Sequence, residues 1–397
     1  MSASLAQVFE AFGEEYLDAH GVSGPQAKAM RAVLDCRTPA LGGQAVECDN
    51  CGHREYIFHS CRNRHCPACQ TRAKDEWVRW RIAELLAAPY AHLVFTLPHG
   101  LNGLAGFHGQ WAYDALLRSV AETLTEFAGN PRWLGAEPAF TLVLHTWTQD
   151  LRRHLHVHVL MACGGLNADG EWVGPKRNPR FLFPVRALSR AFRAKFLDAL
   201  DAAHRTGLIP NDPADNPNDY AERRRQLLKC DWVVYAKTPL GGPAEVLEYL
   251  SRYTHRTAVS NERIVAIRDG CVLLRVRADG SGGKRVARIP GPVFIKRFLQ
   301  HVLPPGFKRI RHYGLLSPAR KRDRLAVARD ALNVPAPSPP ALEAAEDFMR
   351  RVAQKEISQC PRCGRGVLQV VAVLPPPRAS AIRPHPAPNP PCRGPPA

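Results

Sequence analysis

The sequence predicts an α+β fold, and three features carry that prediction. Several segments alternate polar and apolar residues with a period of two, as half-buried strands do, and His154-Leu-His-Val-His158 is the clearest of them. Other segments, among them 5–33, 71–88, 110–127 and 185–205, repeat apolar residues at helical spacing. Between the first two of these lies a cysteine-rich stretch, Cys36 to Cys69, with the paired spacing of a metal-binding module.

Taken in order, residues 5–33 read as two short helices, with Val8, Phe9, Phe12 and Tyr16 spaced along one apolar face. After the cysteines, Thr71 to Ala88 reads as an Arg-rich helix and Tyr90 to Pro98 as a strand. A helix over 110–127 precedes a strand from Phe140 to Trp147, and the histidine strand runs from His154 to Ala162, ending at Gly164-Gly165. A helix over 185–205 follows, then a Pro- and Asn-rich loop at 210–219 and a strand from Asp231 to Ala236. The turn Gly241-Gly242-Pro243 opens another helix, because Pro suits its first turn. Arg263–Arg268 and Cys271–Arg277 form a hairpin across Asp269-Gly270. Basic helical sequence fills 292–333, and from Pro335 onward the Pro-rich composition predicts a largely disordered tail.

At 397 residues the chain can bury a sizeable core and hold two or three domains. Its net charge of +18 implies a polyanionic partner, with nucleic acid the default. A membrane surface is the competing anion, but no apolar run approaches spanning length and no lipidation signal is present. The N-terminus lacks the basic and apolar regions of a secretory signal, so the expected location is the cytoplasm. Disulfides are disfavoured there, and twelve cysteines read as metal ligands and buried thiols.

Cys48-x-x-Cys51 and Cys66-x-x-Cys69 are two knuckles separated by fourteen residues, close to zinc-ribbon spacing. The expectation is one structural zinc on Cys48, Cys51, Cys66 and Cys69, since four thiolates leave no open position for catalysis. Cys61, His59 and His65 lie between the knuckles as substitute ligands. Cys360-x-x-Cys363 is a lone knuckle, short of the ligands for a closed site. Arg62 and Arg64, between the first two knuckles, are expected to contact DNA.

On a strand, His154, His156 and His158 project from one face while Leu155, Val157 and Val159 pack beneath. Neighbouring imidazoles on such a rigid element can hold a divalent cation, and His156 and His158 are the expected pair. His154 is assigned to packing or DNA contact. In Glu248-Tyr-Leu-Ser-Arg-Tyr-Thr-His255, Tyr249 and Tyr253 stand four residues apart on one side of a helix. Val246, Tyr249, Leu250 and Tyr253 also form the stripe of a buried helix face. Both readings hold together if that face meets the sheet bearing the metal.

The segments Ser60-Cys-Arg-Asn-Arg-His-Cys-Pro-Ala-Cys-Gln70, His92-Leu-Val-Phe-Thr-Leu-Pro98 and Val143-Leu-His-Thr-Trp-Thr-Gln149 resemble those of the IS91 family of rolling-circle transposases, within the HUH endonuclease superfamily. So do Asp231-Trp-Val-Val-Tyr-Ala-Lys237, Glu248-Tyr-Leu-Ser-Arg-Tyr-Thr-His-Arg256 and Phe307-Lys-Arg-Ile-Arg-His-Tyr-Gly314, in family order. The chain departs from the family at Gln44, where a histidine is common, and at Leu155, where a proline is common.

The resemblance implies a central antiparallel sheet whose middle strands carry the histidine pair, flanked by helices, one of which presents the tyrosines. It implies an N-terminal helical and zinc-binding domain (1–88), a nuclease domain (89–290), a basic helical extension (291–334) and the tail (335–397). Tyr249 and Tyr253 become nucleophiles that cut single-stranded DNA through a 5′-phosphotyrosine link, assisted by Mg²⁺ or Mn²⁺ on His156 and His158. Gln149, His145 and Glu248 are alternatives for a third ligand. Arg252, Arg256, Lys308, Arg309 and Arg311 join Arg62 and Arg64 as expected DNA contacts. The partners are transposon ends and target DNA, at the bacterial nucleoid. A replication initiator of the same chemistry is the nearest alternative, and a decayed, zinc-dependent DNA-binding protein is the third.

Overall fold

The computed structural model of the protein describes residues 3–377 apart from 177–181, 210–216, 238–257, 279–282, 339, 342 and 355. Helices α1 (Leu5–Ala19) and α2 (Gly24–Leu34) come first, then strands β1 (Gly43–Cys48) and β2 (Arg54–Phe58) and helix α3 (Gln70–Glu84). Next are β3 (Tyr90–Thr96), α4 (Asn102–Phe107), α5 (Gly109–Gly129), β4 (Glu137–Trp147), β5 (Arg153–Leu166) and β6 (Trp172–Val173). They are followed by α6 (Val185–Arg205), α7 (Pro217–Lys229), β7 (Val234–Lys237), β8 (Ile264–Arg268), β9 (Cys271–Arg277) and β10 (Lys284–Pro290). The last elements are α8 (Gly291–Leu299), β11 (Ile310–Gly314), α9 (Lys321–Ala331), α10 (Ala345–Ala353) and β12 (Leu368–Leu374). No helix among the described residues is long and apolar enough to cross a membrane.

Two compact units result, residues 1–34 with 62–348 and residues 35–61 with 349–397. This differs from a linear series of segments divided at 88, 290 and 334. The physical reason is that α1 packs on α8, far along the chain. Phe9 meets Phe298 edge to face at 5.7 Å, and Gln26 Nε2 donates to the Leu299 carbonyl at 3.1 Å. A capping box fixes the start of α1: the Gln7 amide donates to Ser4 Oγ, and the Ser4 amide donates to Gln7 Oε1.

The larger unit is built on an antiparallel sheet with strand order β11-β4-β5-β3-β7, and β6 pairs with the far end of β5. Period-two alternation decides its two faces. Leu155, Val157, Val159 and Met161 of β5 enter one core with Leu93 and Phe95 of β3 and Phe140, Leu142 and Leu144 of β4. Helices α5 and α6 close that face through Leu116, Leu117, Val120, Phe192 and Phe196. On the opposite face the same strands divide the work by position. Tyr90, Ala139, Leu160 and Ala162 pack beneath Leu315, Leu316, Leu325 and Ala328, whereas His145, His156 and His158 occupy the other end.

A second antiparallel sheet, β10-β9-β8, contains the expected hairpin, with Asp269 and Gly270 both in the left-handed region at φ 49° and 70°. Other expectations are corrected. β5 runs through Gly164-Gly165 to Leu166 because a side chain at either glycine would strike Trp172 or the Glu137 carbonyl, so these glycines permit close packing and do not end the strand. The basic stretch 292–333 is not helical throughout: Ile310–Gly314 adds an edge strand to β4. Pro217–Lys229 is helical where part of a loop was expected. The segment after Pro335 contributes α10 and β12, while residues 378–397 lie outside the described residues.

The smaller unit contains the antiparallel sheet β12-β1-β2, in which β1 pairs with β2 from Gly43–Phe58 to Glu47–Arg54. Its other edge takes β12, from Gly43–Leu374 to Cys48–Leu368.

Candidate metal centre

Adjacent strands position three imidazoles. His145 of β4 stands directly opposite His156 of β5, and Val143 opposite His158. The potential ligand atoms of His145, His156 and His158 all lie within 4.8 Å of one another. The ring centroids are 5.1 Å apart for His145–His156, 4.3 Å for His145–His158 and 5.0 Å for His156–His158. Of the three alternatives for a third ligand, the fold therefore groups His145 with the expected pair. Gln149 is exposed in the β4–β5 turn, and Glu248 lies outside the described residues.

Neighbouring groups orient the rings. His156 Nδ1 lies 3.0 Å from the His154 carbonyl, so in the tautomer where Nδ1 donates, Nε2 presents its lone pair. His158 Nδ1 is 2.9 Å from His92 Nε2, and the two rings stack at 5.2 Å. His92 thereby acts on His158 as an orienting partner of the kind that metal-binding histidines use. His154 turns instead toward His99, 3.2 Å away. The β4–β5 turn is held from α8 and its end: Arg297 donates to the Asp150 carbonyl and Gln300 to the Leu151 carbonyl, at 3.1 and 2.7 Å.

Burial sets the protonation state. It lowers the His156 pKa to about 4, with repulsion from His154 adding to it. His145 and His158 are pushed well below the ordinary value, first by burial and then by their histidine neighbours. All three are neutral at pH 7 and so have a lone pair to offer. Nitrogen donors on a rigid sheet fit a divalent transition metal.

Tyr249, Arg252, Tyr253 and Arg256 lie outside the described residues. The expected DNA contacts that are described divide into two groups. Arg62 and Lys308 are exposed. Arg64, by contrast, donates twice to the Phe307 carbonyl, at 3.1 Å each, and Arg311 pairs with Asp114 while its guanidinium lies 5.3 Å from the Phe307 ring centroid. Arg309 is buried, and burial together with Arg64 lowers its pKa to about 9. Arg64 and Arg311 are thus half-buried with partners inside the protein, and burial withdraws Arg309 from the surface, which the sequence pattern does not reveal. A cleft of about 410 Å³ between the β4–β5 turn and the second sheet is lined by Arg152, Arg277 and Arg285, of which Arg152 pairs with Asp150 at 2.7 Å.

The expected four-cysteine site also changes. Cys48 and Cys51 group with Cys360 and Cys363, all four sulfurs within 4.8 Å, in the smaller unit. Cys66 and Cys69 belong to the larger unit and are not members of this group. The lone C-terminal knuckle thus has partners, which β12 delivers by pairing along β1.

Known proteins resemble this chain at several levels. A family described as "Transposase zinc-binding domain" matches residues 8–97, and one described as "Putative transposase" matches residues 139–324. The "Putative transposase y4qJ" of Sinorhizobium fredii is 41% identical over 380 residues, covering 93% of this chain and 95% of that protein. The transposase for insertion sequence element IS801 of Pseudomonas savastanoi pv. phaseolicola is 26% identical, covering 90% of this chain and 86% of its own. Among solved structures, the metal-bound conjugative relaxase TrwC with oriT DNA overlaps 64% of this chain and 96% of its own at 14% identity and a TM-score of 0.26. Overlap this loose transfers no residue, ligand or activity.

Proposed function

This chain belongs to the IS91 family of transposases, and on that premise we propose that it breaks and rejoins single-stranded DNA through a covalent tyrosine–DNA link, with Tyr249 and Tyr253 as nucleophiles. A rolling-circle transposase must cut one strand, hold the end and pass it to a new site. The observation that carries the chemistry is the group of three neutral imidazoles on β4 and β5.

A divalent cation on His145, His156 and His158 would polarise the scissile phosphate and offset charge on the leaving 3′ oxygen. Three nitrogen donors suit Mn²⁺ better than Mg²⁺, which prefers oxygen. The tyrosine gives its phenolic proton to solvent, its oxygen bonds to phosphorus as the bond from phosphorus to the 3′ oxygen breaks, and that oxygen takes a proton from solvent to leave as the 3′ hydroxyl. A phenol with a reference pKa near ~10 needs such assistance at neutral pH. The 5′-phosphotyrosine conserves the phosphodiester, so rejoining requires no ATP, and a second tyrosine permits a second transfer.

Two features support this assignment of the segment 238–257. Ala258, five residues beyond Tyr253 in sequence, accepts from Arg263 Nη1 at 3.1 Å, and Arg263 also bonds the Gln149 carbonyl of the turn beside the histidines. Upstream, β7 ends at Lys237 paired with His92 of β3. Arg252 and Arg256 would meet DNA near the tyrosines, with Arg62, Lys308 and the cleft arginines along its path to transposon ends and target. The cellular site of action would be the bacterial nucleoid.

A replication initiator would share this chemistry, but similarity to a transposase along 93% of the chain favours transposition. The test is incubation with a single-stranded oligonucleotide of the element's end and Mn²⁺, followed by a denaturing gel. Wild type should give a covalent protein–DNA band, Tyr249→Phe the greater loss of the two single variants, and the double Phe variant none. An adduct from the double variant would refute the tyrosine assignment, and absence of any wild-type adduct would favour the decayed, binding-only alternative.

A further inference from the structure

Outside the histidine site, the strongest unassigned cluster is the four-cysteine group of the smaller unit. Cys48 Sγ and Cys363 Sγ are 3.7 Å apart, as are Cys51 Sγ and Cys360 Sγ. A disulfide requires about 2.05 Å between sulfurs. Zinc–thiolate bonds of about 2.3 Å in a tetrahedron place the sulfurs about 3.8 Å apart. The observed separation matches the metal and excludes the disulfide.

The backbone repeats this match. Both knuckles have the form Cys-x-x-Cys-Gly, and the closing glycines, Gly52 and Gly364, are left-handed at φ 66° and 64°. In each, the glycine amide donates to the carbonyl of the first cysteine, at 3.1 Å for Gly52 and 2.9 Å for Gly364. The knuckles also interlock. The Val367 amide donates to Asp49 Oδ1 at 2.9 Å, and the Asp49 amide donates to the Val367 carbonyl at 3.1 Å. Gly366 can only be glycine, since a Cβ there would lie 2.4 Å from Cys48 Sγ.

Energetics supply an independent argument. Among the described residues, the buried hydrophobics of this unit are Ala45, Val46, Cys48 and Cys360. On β12, Val370, Val371 and Val373 are each more than half exposed. Units this small and this poor in core usually need a metal or disulfide to fold.

We propose that Cys48, Cys51, Cys360 and Cys363 hold one structural zinc, so that the C-terminal segment is an integral half of the zinc-binding unit. The ion ties together residues 309 positions apart. β12 is then not an appendage, because half of the ligand set arrives with it. This inference stands independently of the DNA-cleavage reading.

Metal analysis and thiol mapping of the full-length chain test it. Relative to wild type, Cys360→Ser/Cys363→Ser should lose one zinc per chain, and Cys48→Ser/Cys51→Ser should lose the same single ion. Combining all four substitutions should remove no more than either pair. In metal-loaded wild type, all four thiols should resist iodoacetamide and become reactive together on chelation, a readout that needs no variant to fold. Unchanged zinc in Cys360→Ser/Cys363→Ser, or free alkylation of Cys360 and Cys363 in zinc-loaded wild type, would overturn the proposal.

Discussion

The histidine group and the four-cysteine group each bring together side chains able to hold a metal ion, yet their surroundings are opposite. His145, His156 and His158 stand on two central strands of a sheet whose other face is sealed by Phe95, Phe140, Phe192 and Phe196, all at 0% exposure. Of the cysteines only Cys48 lies in a strand, at the end of β1, while Cys51, Cys360 and Cys363 sit in or at turns beside a three-stranded sheet whose added strand is mostly exposed. On the readings proposed above, the sheet sets the first site in place before any ion arrives, whereas the ion would build the second. A catalytic metal site benefits from such preorganisation, since ligands already in place need no reordering during reaction. A structural site contributes the metal's binding energy directly to folding.

The sharpest way to break this contrast is to remove a ligand from each region. His156→Ala or His158→Ala should reduce Mn²⁺-dependent cleavage by about 10²- to 10³-fold, the scale of losing one preorganised charge-stabilising group. Oligonucleotide affinity should stay within about twofold, since it rests on Arg and Lys contacts. Gel-shift and cleavage assays on the same preparations check both, and full cleavage by either variant would remove the histidines from the mechanism.

Core deletions should differ next most. Phe192 packs edge to face on Phe95 and Trp232, at 5.3 Å in each case, so Phe192→Ala should cost about 3–5 kcal/mol of the larger unit's stability in urea. Val370→Ala in the smaller unit, at a residue 54% exposed, should change stability by less than about 0.5 kcal/mol. Equal effects would mean that the smaller unit has a core after all.

His92 gives a finer test, because it acts through His158. His92→Ala should weaken Mn²⁺ affinity by about 10- to 100-fold, with cleavage recovering at high Mn²⁺. His92→Gln, which keeps a hydrogen-bonding group, should recover part of that loss. A merely structural role would lower thermal stability without moving the Mn²⁺ midpoint.

The smallest expected effect is a pH drift. Burial lowers the pKa of His65 and His301 to about 3 and that of His156 and His312 to about 4, against 6.5 in the unfolded chain. Above pH 6.5 both states are neutral and these groups contribute no slope. As pH falls from 6.5 toward about 4, the unfolded chain binds protons that the folded one refuses, so stability declines. Thermal melts of the larger unit across that window should show a falling Tm, and a flat profile would contradict the burial of these rings.

The alternation in β5 was legible because period two survives in any strand, and it placed His156 and His158 on one face. His145 stood level with Gln149 and Glu248, since cross-strand register is absent from a single segment's pattern. β11 was hidden in basic sequence: Ile310-Arg-His-Tyr-Gly314 has too few apolar residues to announce a strand, and it pairs with β4 by completing an existing edge. Arg64 and Arg309 read as surface charge because nothing local distinguishes a guanidinium that bonds a carbonyl from one facing solvent. The Cys360 knuckle was illegible for a similar reason, as its partners lie about 310 residues away and only β12 brings them into register.

Hydrogen exchange on one sample, before and after chelation of zinc, tests the central contrast most directly. The prediction is that amides of β1 and β12, Val46 and Cys48 among them, lose protection on chelation, while those of Val157 and Val159 in β5 keep theirs. Loss of protection in β5 would contradict a histidine site built by the sheet. Retained protection in β1 and β12 would contradict a cysteine site built by its metal.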